Sequence, residues 1–161
     1  MNRFICISGC TASGKSSFSL ELSKYFENPL IINTDALQVY GCWEILTDRP
    51  TVKKPQHSLY GHVSCNEKYS VGDWVTDVKE IFDLNSKMSK TFIFVGGTGL
   101  YFNALLRGFS EIPHIPQDIR ELANSQDLSF FLEYLKKNDP NILEKIDIKN
   151  KRRVQRAWEV L

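Results

Sequence analysis

The sequence predicts an α/β fold in which a parallel sheet is flanked by helices. Short apolar runs at 4–8, 30–33 and 91–95 have the length and composition of strands that are buried on both faces. Each run is followed by a glycine-rich or acidic turn, and patterns of helical spacing lie between the runs. Strands that alternate with helices in this way are typical of a parallel sheet.

The first run leads into an eight-residue motif that carries the main functional signal. Residues 9–16 fit the phosphate-binding pattern G-x-x-x-x-G-K-[ST]. In such a loop the glycines let backbone N–H groups converge on an oxyanion, and the N-terminus of the following helix adds partial positive charge. The residues involved are Gly9, Cys10, Thr11, Ala12, Ser13, Gly14, Lys15 and Ser16.

Two side chains of this loop have separate predicted roles. Lys15 brings a full positive charge to the outer phosphate, and the Ser16 hydroxyl is a candidate Mg²⁺ ligand. The alternative, a glycine turn that binds nothing, is disfavoured because a strand pattern precedes the motif and a helix pattern follows it. That helix is expected to end at Asn28-Pro29 and to carry an apolar stripe of Phe18, Leu22, Tyr25 and Phe26.

The second predicted strand ends at Asn33 and is followed by an acidic residue, Asp35. In open α/β sheets ligands bind beyond the carboxyl ends of the strands, so Asp35 is expected to face the same crevice as a phosphate held by the loop. Its carboxylate would then accept a proton from a nucleophile or organise Mg²⁺ through water. An N-cap for a helix over 36–40 is the equally weighted alternative.

The third strand repeats the plan of the first. It leads into a glycine-rich turn at 96–99 and a helix from Leu100 to about Arg107, which Gly108 ends. Thr98 in this turn would either bind a ligand or serve tight packing between strand and helix. A capping box at 70–73 opens the helix that precedes the strand.

After Gly108 the strand patterns stop and helical patterns take over, with a rigid connector at 112–116. We therefore divide the chain into an α/β core at 1–110 and a helical segment at 111–161. The last stretch combines an apolar stripe with clustered Lys and Arg, which is typical of a binder of phosphate backbones, with a solvated face as the equal alternative. It ends inside an amphipathic pattern, so we expect a truncated or split product, or a fragment of a larger protein.

Composition sets broader limits. The chain has 161 residues, 42% hydrophobic and 24% charged, which indicates a globular protein of one domain, or one and part of another. The net charge of +1 gives no indication of a nucleic-acid partner, so any nucleic-acid site must come from local clustering of basic residues. The four cysteines lack a C-x-x-C pair and are expected to be reduced thiols, and the three histidines lack zinc-finger spacing. No segment has the length of a membrane span, and no signal peptide precedes the first strand.

The motifs together resemble those of the tRNA dimethylallyltransferases, also called tRNA isopentenyltransferases. The matching segments, in order, are 9–16, 33–40, 59–63, 69–73, 95–102 and 153–160. The resemblance covers the whole chain, and Cys10 stands where the family usually has proline. It implies a P-loop NTPase-like core followed by the start of a helical tRNA-binding insertion.

The family transfers a dimethylallyl group from its diphosphate to N6 of the adenosine 3′ of the anticodon. The resemblance therefore implies that the loop binds dimethylallyl diphosphate with Mg²⁺. Lys15 and Thr11 would be catalytic, and Asp35 would be the general base toward the adenine amine. The partner would be the tRNA anticodon loop, and we expect a monomer in the cytoplasm, away from membranes. The implied tRNA-binding positions are Asp35, Ala36, Leu37, Gln38, Thr98, Arg120, Arg152, Arg153, Val154, Gln155 and Arg156.

Two other functions stay open at this point. A small-molecule kinase would use the same loop for ATP, but it would carry an arginine-rich lid after the third strand, and only Arg107 and Arg120 occur between that strand and the basic stretch at the end of the sequence. A non-catalytic fragment would bind nucleotide or tRNA, its tRNA affinity would fall with salt, and it would transfer no prenyl group.

Overall fold

The structure is a computed structural model that describes residues 2–50, 55–108 and 115–161. The chain divides into two compact units, Met1–Phe109 and Ser110–Leu161. Most of the connector predicted at 112–116 lies outside the described residues. In chain order the elements are β1 (Arg3–Ser8), α1 (Lys15–Ser23), β2 (Pro29–Asn33), a 3₁₀ turn (Gly41–Trp43), β3 (Gln56–Ser58), α2 (Val71–Leu84), β4 (Thr91–Gly96), α3 (Gly99–Arg107), α4 (Gln117–Ser125), α5 (Leu128–Asn138), α6 (Pro140–Lys145) and α7 (Lys151–Val160).

The first unit is built on a four-stranded sheet with the order β1-β4-β2-β3. Every pairing is parallel, and Ile93 of β4 lies between Ile5 of β1 and Ile31 of β2. The predicted α/β class with a parallel sheet is therefore confirmed. Strand β3 was not predicted, because three residues with no apolar period carry no signal in the sequence.

The three predicted strands differ in burial. All six residues of β4 are buried, as are the last four of β2. For β1 the prediction of burial on both faces is wrong: Phe4 is 57% exposed. Among the described strands β1 pairs with β4 alone, so it forms an edge of the sheet, and a short apolar run does not distinguish an edge strand from a central one.

Helix α1 packs differently from the prediction. Phe18 and Tyr25 of the expected stripe are 58% and 83% exposed, and the helix ends at Ser23, before Asn28-Pro29. The buried positions are Ser19 and Ser23, whose hydroxyls donate to backbone carbonyls of α1 at 2.7 Å. The inner face of the helix combines these two small side chains with Leu20, which packs against the buried Ile31, Ile93 and Val95 of the sheet, whereas Phe18 points outward.

The main core of the first unit lies between the sheet and helices α2 and α3. Trp74 of α2 is fully buried and stacks on Tyr101 of α3, with ring centroids 4.6 Å apart. The predicted capping box is present, since the Ser70 and Asp73 side chains each accept the other's backbone N–H. The predicted end of α3 at Gly108 is also confirmed by its φ of 83°.

The second unit is helical. Helices α4, α5 and α7 contribute the buried residues of its hydrophobic cluster, Ala123, Phe131, Leu135 and Val154. Helix α7 begins at the N-cap Asn150, whose side chain accepts a hydrogen bond from the Arg153 backbone N–H. In the described parts of both units, every helix is too short or too polar to cross a bilayer.

Candidate functional site

The loop between β1 and α1 is open to solvent along residues 9–14. Ala12 and Gly14 have φ values of 60° and 81°, in the left-handed region that glycine adopts readily and alanine adopts at a cost of about 1–2 kcal/mol. Helix α1 follows with no side-chain cap and no acidic residue in its first turn. Its first N–H groups are therefore free to bind an anion.

Lys15 lies over this loop. Its ammonium group donates to the Cys10 carbonyl oxygen, and a longer contact of 3.5 Å joins it to Ser13 Oγ. Ser16, the next residue, lies half-buried in the first turn of α1. The loop thus combines an uncapped helix N-terminus, a cation and a hydroxyl, which together suit a phosphate group.

Asp35 lies in a turn just after β2. Its Oδ1 accepts a hydrogen bond from the Leu37 N–H at 2.9 Å, and residues 36–39 form turns. The alternative that Asp35 caps a helix over 36–40 is therefore wrong. The short side-chain–backbone contact closes the turn and orients the carboxylate.

The glycine turn after β4 brings the loop and the acid together. A Cβ atom built on Gly97 would lie 3.4 Å from the Gly9 carbonyl oxygen and 3.9 Å from Asp35 Oδ2. The loop and the carboxylate therefore both lie beside the same glycine, at the carboxyl end of the sheet. This is the position where α/β sheets bind ligands.

Thr98, which follows β4, forms hydrogen bonds with both neighbours of Asp35 in the chain. Its hydroxyl accepts a hydrogen bond from the Ala36 N–H at 2.9 Å, and its backbone N–H donates to the Thr34 carbonyl at 3.1 Å. These hydrogen bonds join the turn after β4 to the turn after β2, a contact that differs from the packing between strand and helix considered for Thr98. The hydroxyl proton stays available to a ligand.

The remaining predicted tRNA positions of the first unit differ in exposure. Leu37 is 54% exposed, whereas Ala36 and Gln38 are half-buried. The Gln38 side-chain amide donates to the Thr47 carbonyl at 2.8 Å, which ties the Asp35 turn to the segment after the 3₁₀ turn. Leu37 is therefore the residue of this set whose side chain is most accessible to a partner.

In the second unit, the predicted arginines line one groove. The groove has a volume of about 540 Å³ and a largely apolar wall, with Arg152, Arg153 and Arg156 among its lining residues. Val154 is fully buried and belongs to the helical core, so its side chain cannot touch RNA. The groove combines positive charge with apolar surface.

Gln155 and Arg120 are the other two polar residues of this unit that were predicted to bind tRNA, and they differ in their hydrogen bonding. The Gln155 amide donates to Asn124 Oδ1 at 3.2 Å and to Glu159 Oε1 at 2.9 Å. Arg120 of α4 is half-buried, and its Nε has no partner among the described residues.

A cluster of tyrosines surrounds the Asp35 region. Burial, together with the charges of Tyr40, Asp35 and other carboxylates, raises the pKa of Tyr101 to about 12. Burial and the Asp35 charge also raise the pKa of Tyr60 well above its ordinary value. These phenols therefore stay protonated at neutral pH and can act as hydrogen-bond donors.

Two features of the first unit escaped the sequence analysis. Cys42 and Cys65 form a disulfide, so the expectation of four reduced thiols is wrong. The bridge between Tyr40 and Val63 brings these cysteines together, and their separation of 23 residues gives no hint of it. The second feature is the carboxamide of Asn33, which forms hydrogen bonds with the backbone of Asp35. The only signal for this role in the sequence is that Asn33 lies two residues before the acid.

A parallel sheet whose first strand leads into a glycine loop of the pattern G-x-x-x-x-G-K-[ST], with a carboxylate after the next strand, defines the class of P-loop α/β proteins. The family model described as "IPP transferase" matches residues 38–161. The tRNA dimethylallyltransferase of Paracoccus denitrificans is 43% identical over 168 residues, which cover 99% of this chain and 54% of that protein. The chain belongs to the IPP transferase family, and it spans about half the length of the curated relatives it matches.

Two solved structures are also similar to this chain. A eukaryotic dimethylallyltransferase described as acting on tRNA matches with a TM-score of 0.82 and 27% identity, over 99% of this chain and 41% of that one. The full-length tRNA isopentenylpyrophosphate transferase of Bacillus halodurans matches with a TM-score of 0.61 and 30% identity, over 99% of this chain and 55% of that one. These likenesses agree with the P-loop NTPase-like fold predicted for the first unit.

Proposed function

We propose that this chain takes part in transferring a dimethylallyl group from dimethylallyl diphosphate to N6 of the adenosine 3′ of the anticodon in tRNA. The observation that carries the proposal is the position of Gly97, since a Cβ atom built on this glycine would lie within 4 Å of both the Gly9 carbonyl oxygen and the Asp35 carboxylate. A diphosphate held by the loop and a base near Asp35 would meet at this turn. Membership of the IPP transferase family supports this choice of substrates.

In the proposed reaction, the N6 nitrogen forms a bond to C1 of the dimethylallyl group while the bond from C1 to the diphosphate oxygen breaks. Pyrophosphate leaves with the electron pair, and the amine proton passes to the Asp35 carboxylate. Residues 11–16 bind the diphosphate. Lys15 and the Thr11 hydroxyl stabilise the negative charge that grows on the leaving group.

Mg²⁺ fits the donors at this site. The Ser16 hydroxyl is a hard oxygen ligand of the kind that Mg²⁺ prefers, and the diphosphate would supply further oxygens. The described residues contain no group of three or more His, Cys, Asp or Glu side chains able to hold a metal. In the proposed complex the ion would offset the negative charge of the diphosphate.

The tRNA anticodon loop is the proposed partner of both units. Leu37 and Thr98 would approach the target base, and the groove lined by Arg152, Arg153 and Arg156 would contact the phosphate backbone. Because the target adenosine lies in a single-stranded loop, little energy is needed to move it out of its stack. The proposal includes a monomer in the cytoplasm, to be tested by its mass in solution and by cell fractionation.

The deciding experiment is a transfer assay with labelled dimethylallyl diphosphate, Mg²⁺ and an anticodon stem-loop. Label in the RNA is the expected result, and Asp35→Asn is expected to abolish it while diphosphate binding persists. Binding of RNA and diphosphate without transfer would identify a non-catalytic binder. Stronger binding of ATP than of the prenyl diphosphate would favour a kinase.

Diphosphate binding can be measured separately through Cys10. Cys10 is a free, exposed thiol in the loop, and Cys6 in β1 is a second free thiol whose pKa is raised by burial. Dimethylallyl diphosphate with Mg²⁺ is expected to slow alkylation of Cys10 and leave the slower reaction of Cys6 unchanged. Equal rates at Cys10 with and without the diphosphate would count against binding in this loop.

A further inference from the structure

We infer that Asn33 is a positioning residue that holds the Asp35 carboxylate in its working orientation. Asn33 is the last residue of β2 and is fully buried. Its carboxamide bonds to the peptide groups of Asp35 and to the Leu59 carbonyl, away from the glycine loop. The inference rests on the proposed function, in which Asp35 is the base.

The carboxamide forms hydrogen bonds with both backbone polar groups of Asp35. Asn33 Oδ1 accepts a hydrogen bond from the Asp35 N–H at 2.9 Å, and Nδ2 donates to the Asp35 carbonyl, also at 2.9 Å. With both backbone groups of Asp35 bound to one planar amide, rotation about its φ and ψ is restricted. The direction of its Cα–Cβ bond is restricted with them.

The second proton of Nδ2 anchors this arrangement to a distant part of the chain. It donates to the Leu59 carbonyl at 2.9 Å, and Leu59 follows β3 with a φ of 62°. The Asn33 backbone is itself held, because Trp74 Nε1 donates to its carbonyl at 2.9 Å. The Asp35 turn is thus fixed to three elements, β2, the loop after β3 and helix α2.

This pattern of bonds requires an amide. An aspartate in place of Asn33 would keep the acceptor but would point a second oxygen at two carbonyl oxygens, those of Asp35 and Leu59. A serine would keep an acceptor for the Asp35 N–H and would lose the two amide N–H donors that bind the Asp35 and Leu59 carbonyls. An alanine would lose all three hydrogen bonds of the carboxamide. Comparing the Ser and Ala variants therefore separates the effect of the acceptor from the effect of the two amide donors.

Hydrogen exchange of the Leu37 N–H reports on the orientation of the Asp35 side chain, because this N–H donates to Asp35 Oδ1. In Asn33→Ala, amide hydrogen exchange at Leu37 and Asp35 is expected to accelerate at least about 10-fold, while exchange in β4 keeps its wild-type rate. Asn33→Ser is expected to restore protection at Asp35 only. Asn85→Ala is the matched control, because it removes a side-chain amide bond to the Ile81 carbonyl in α2, away from Asp35.

Transfer kinetics give the second readout. Asn33→Ala is expected to lower kcat about 10- to 100-fold and to change KM for dimethylallyl diphosphate less than about two-fold, because the loop is untouched. Wild-type exchange at Leu37 in Asn33→Ala, or an equal effect in Asn85→Ala, would overturn the positioning role. A wild-type chain without transfer activity would reject the proposed function, and the exchange data would still decide the role of Asn33.

Discussion

The hydroxyl of Thr98 accepts a hydrogen bond from the backbone N–H of Ala36 at 2.9 Å. The two residues are 62 positions apart in the chain, and the bond joins the turns that follow two neighbouring strands, β4 and β2. The glycine turn that faces the phosphate loop and the turn that carries Asp35 are therefore one connected unit.

Removing this bond is expected to weaken the first unit. Thr98→Val keeps the side-chain shape and leaves the Ala36 N–H without its acceptor, which should lower the free energy of unfolding by about 1–2 kcal/mol. Thr98→Ser keeps the acceptor and should stay within about 0.5 kcal/mol of wild type. Urea denaturation measures both, with Thr76→Val on the exposed face of α2 as the control. Equal stability of the Val and Ser variants would contradict the role given to the hydroxyl.

Alanine substitutions at Gly96 and Gly99 should have different effects on the stability of the first unit. A Cβ on Gly96 would lie 2.1 Å from the carbonyl carbon and oxygen of Thr34, so the backbone before Asp35 would have to move. Gly96→Ala is expected to destabilise by about 1–3 kcal/mol or more. Gly99 has nothing within 4 Å of its Cβ position, so Gly99→Ala is expected to be neutral or slightly stabilising in thermal unfolding. A stable Gly96→Ala variant would refute the tight contact between β4 and the Asp35 turn.

Lys15 should matter for diphosphate binding in a way that a lysine at the far end of α1 does not. Lys15→Ala removes a charged donor and is expected to raise the Kd for dimethylallyl diphosphate by about 10- to 100-fold, measured by calorimetry with Mg²⁺. The control is Lys24→Ala at the end of α1, which removes an exposed pair with Glu21 at 2.7 Å. An unchanged Kd in Lys15→Ala, or an equal loss in both variants, would exclude a specific contact.

The arginine groove should produce a salt-dependent affinity for RNA. Arg152→Gln with Arg153→Gln is expected to weaken binding of an anticodon stem-loop and to reduce the slope of log K against log salt by about 0.7 for each phosphate that the variant no longer neutralises. Lys136→Gln with Lys137→Gln changes charge by the same amount on the exposed end of α5. Binding curves in filter or fluorescence assays at several salt concentrations separate the two pairs. Identical slopes would show that the groove is an ordinary solvated surface.

Asp127 should make the stability of the helical unit depend on pH. Its side chain caps α5, and hydrogen bonds from the Phe130 backbone and the Ser129 hydroxyl lower the pKa of this carboxylate. A lowered pKa in the folded state means that the stabilisation is present above the unfolded pKa of about 4 and is lost as pH falls through the folded value. Asp127→Asn removes the titration, so its melting temperature should fall less than that of wild type between about pH 5 and pH 3. Asp139→Asn is the control, because Asp139 caps α6 without a side-chain bond.

Much of the fold and part of the site could be predicted from local patterns. The strands β2 and β4, the capping box at Ser70, the end of α3 at Gly108 and the glycine loop all follow from residue types within a few positions of one another. Such signals are readable because steric preference, helix capping and burial act over short stretches. The ordered motifs were also sufficient to identify the family.

Contacts between distant residues could not be predicted in the same way. The edge position of β1, the serine-lined inner face of α1 and the pairing of Cys42 with Cys65 each depend on which segments become neighbours. The same is true of the site: the sequence by itself determined which residues could bind a diphosphate and accept a proton. Only the tertiary structure decided that Gly97 brings the loop and Asp35 together and that Asn33 and Thr98 hold the acid, because those distances are set by parallel strand pairing rather than by chain spacing.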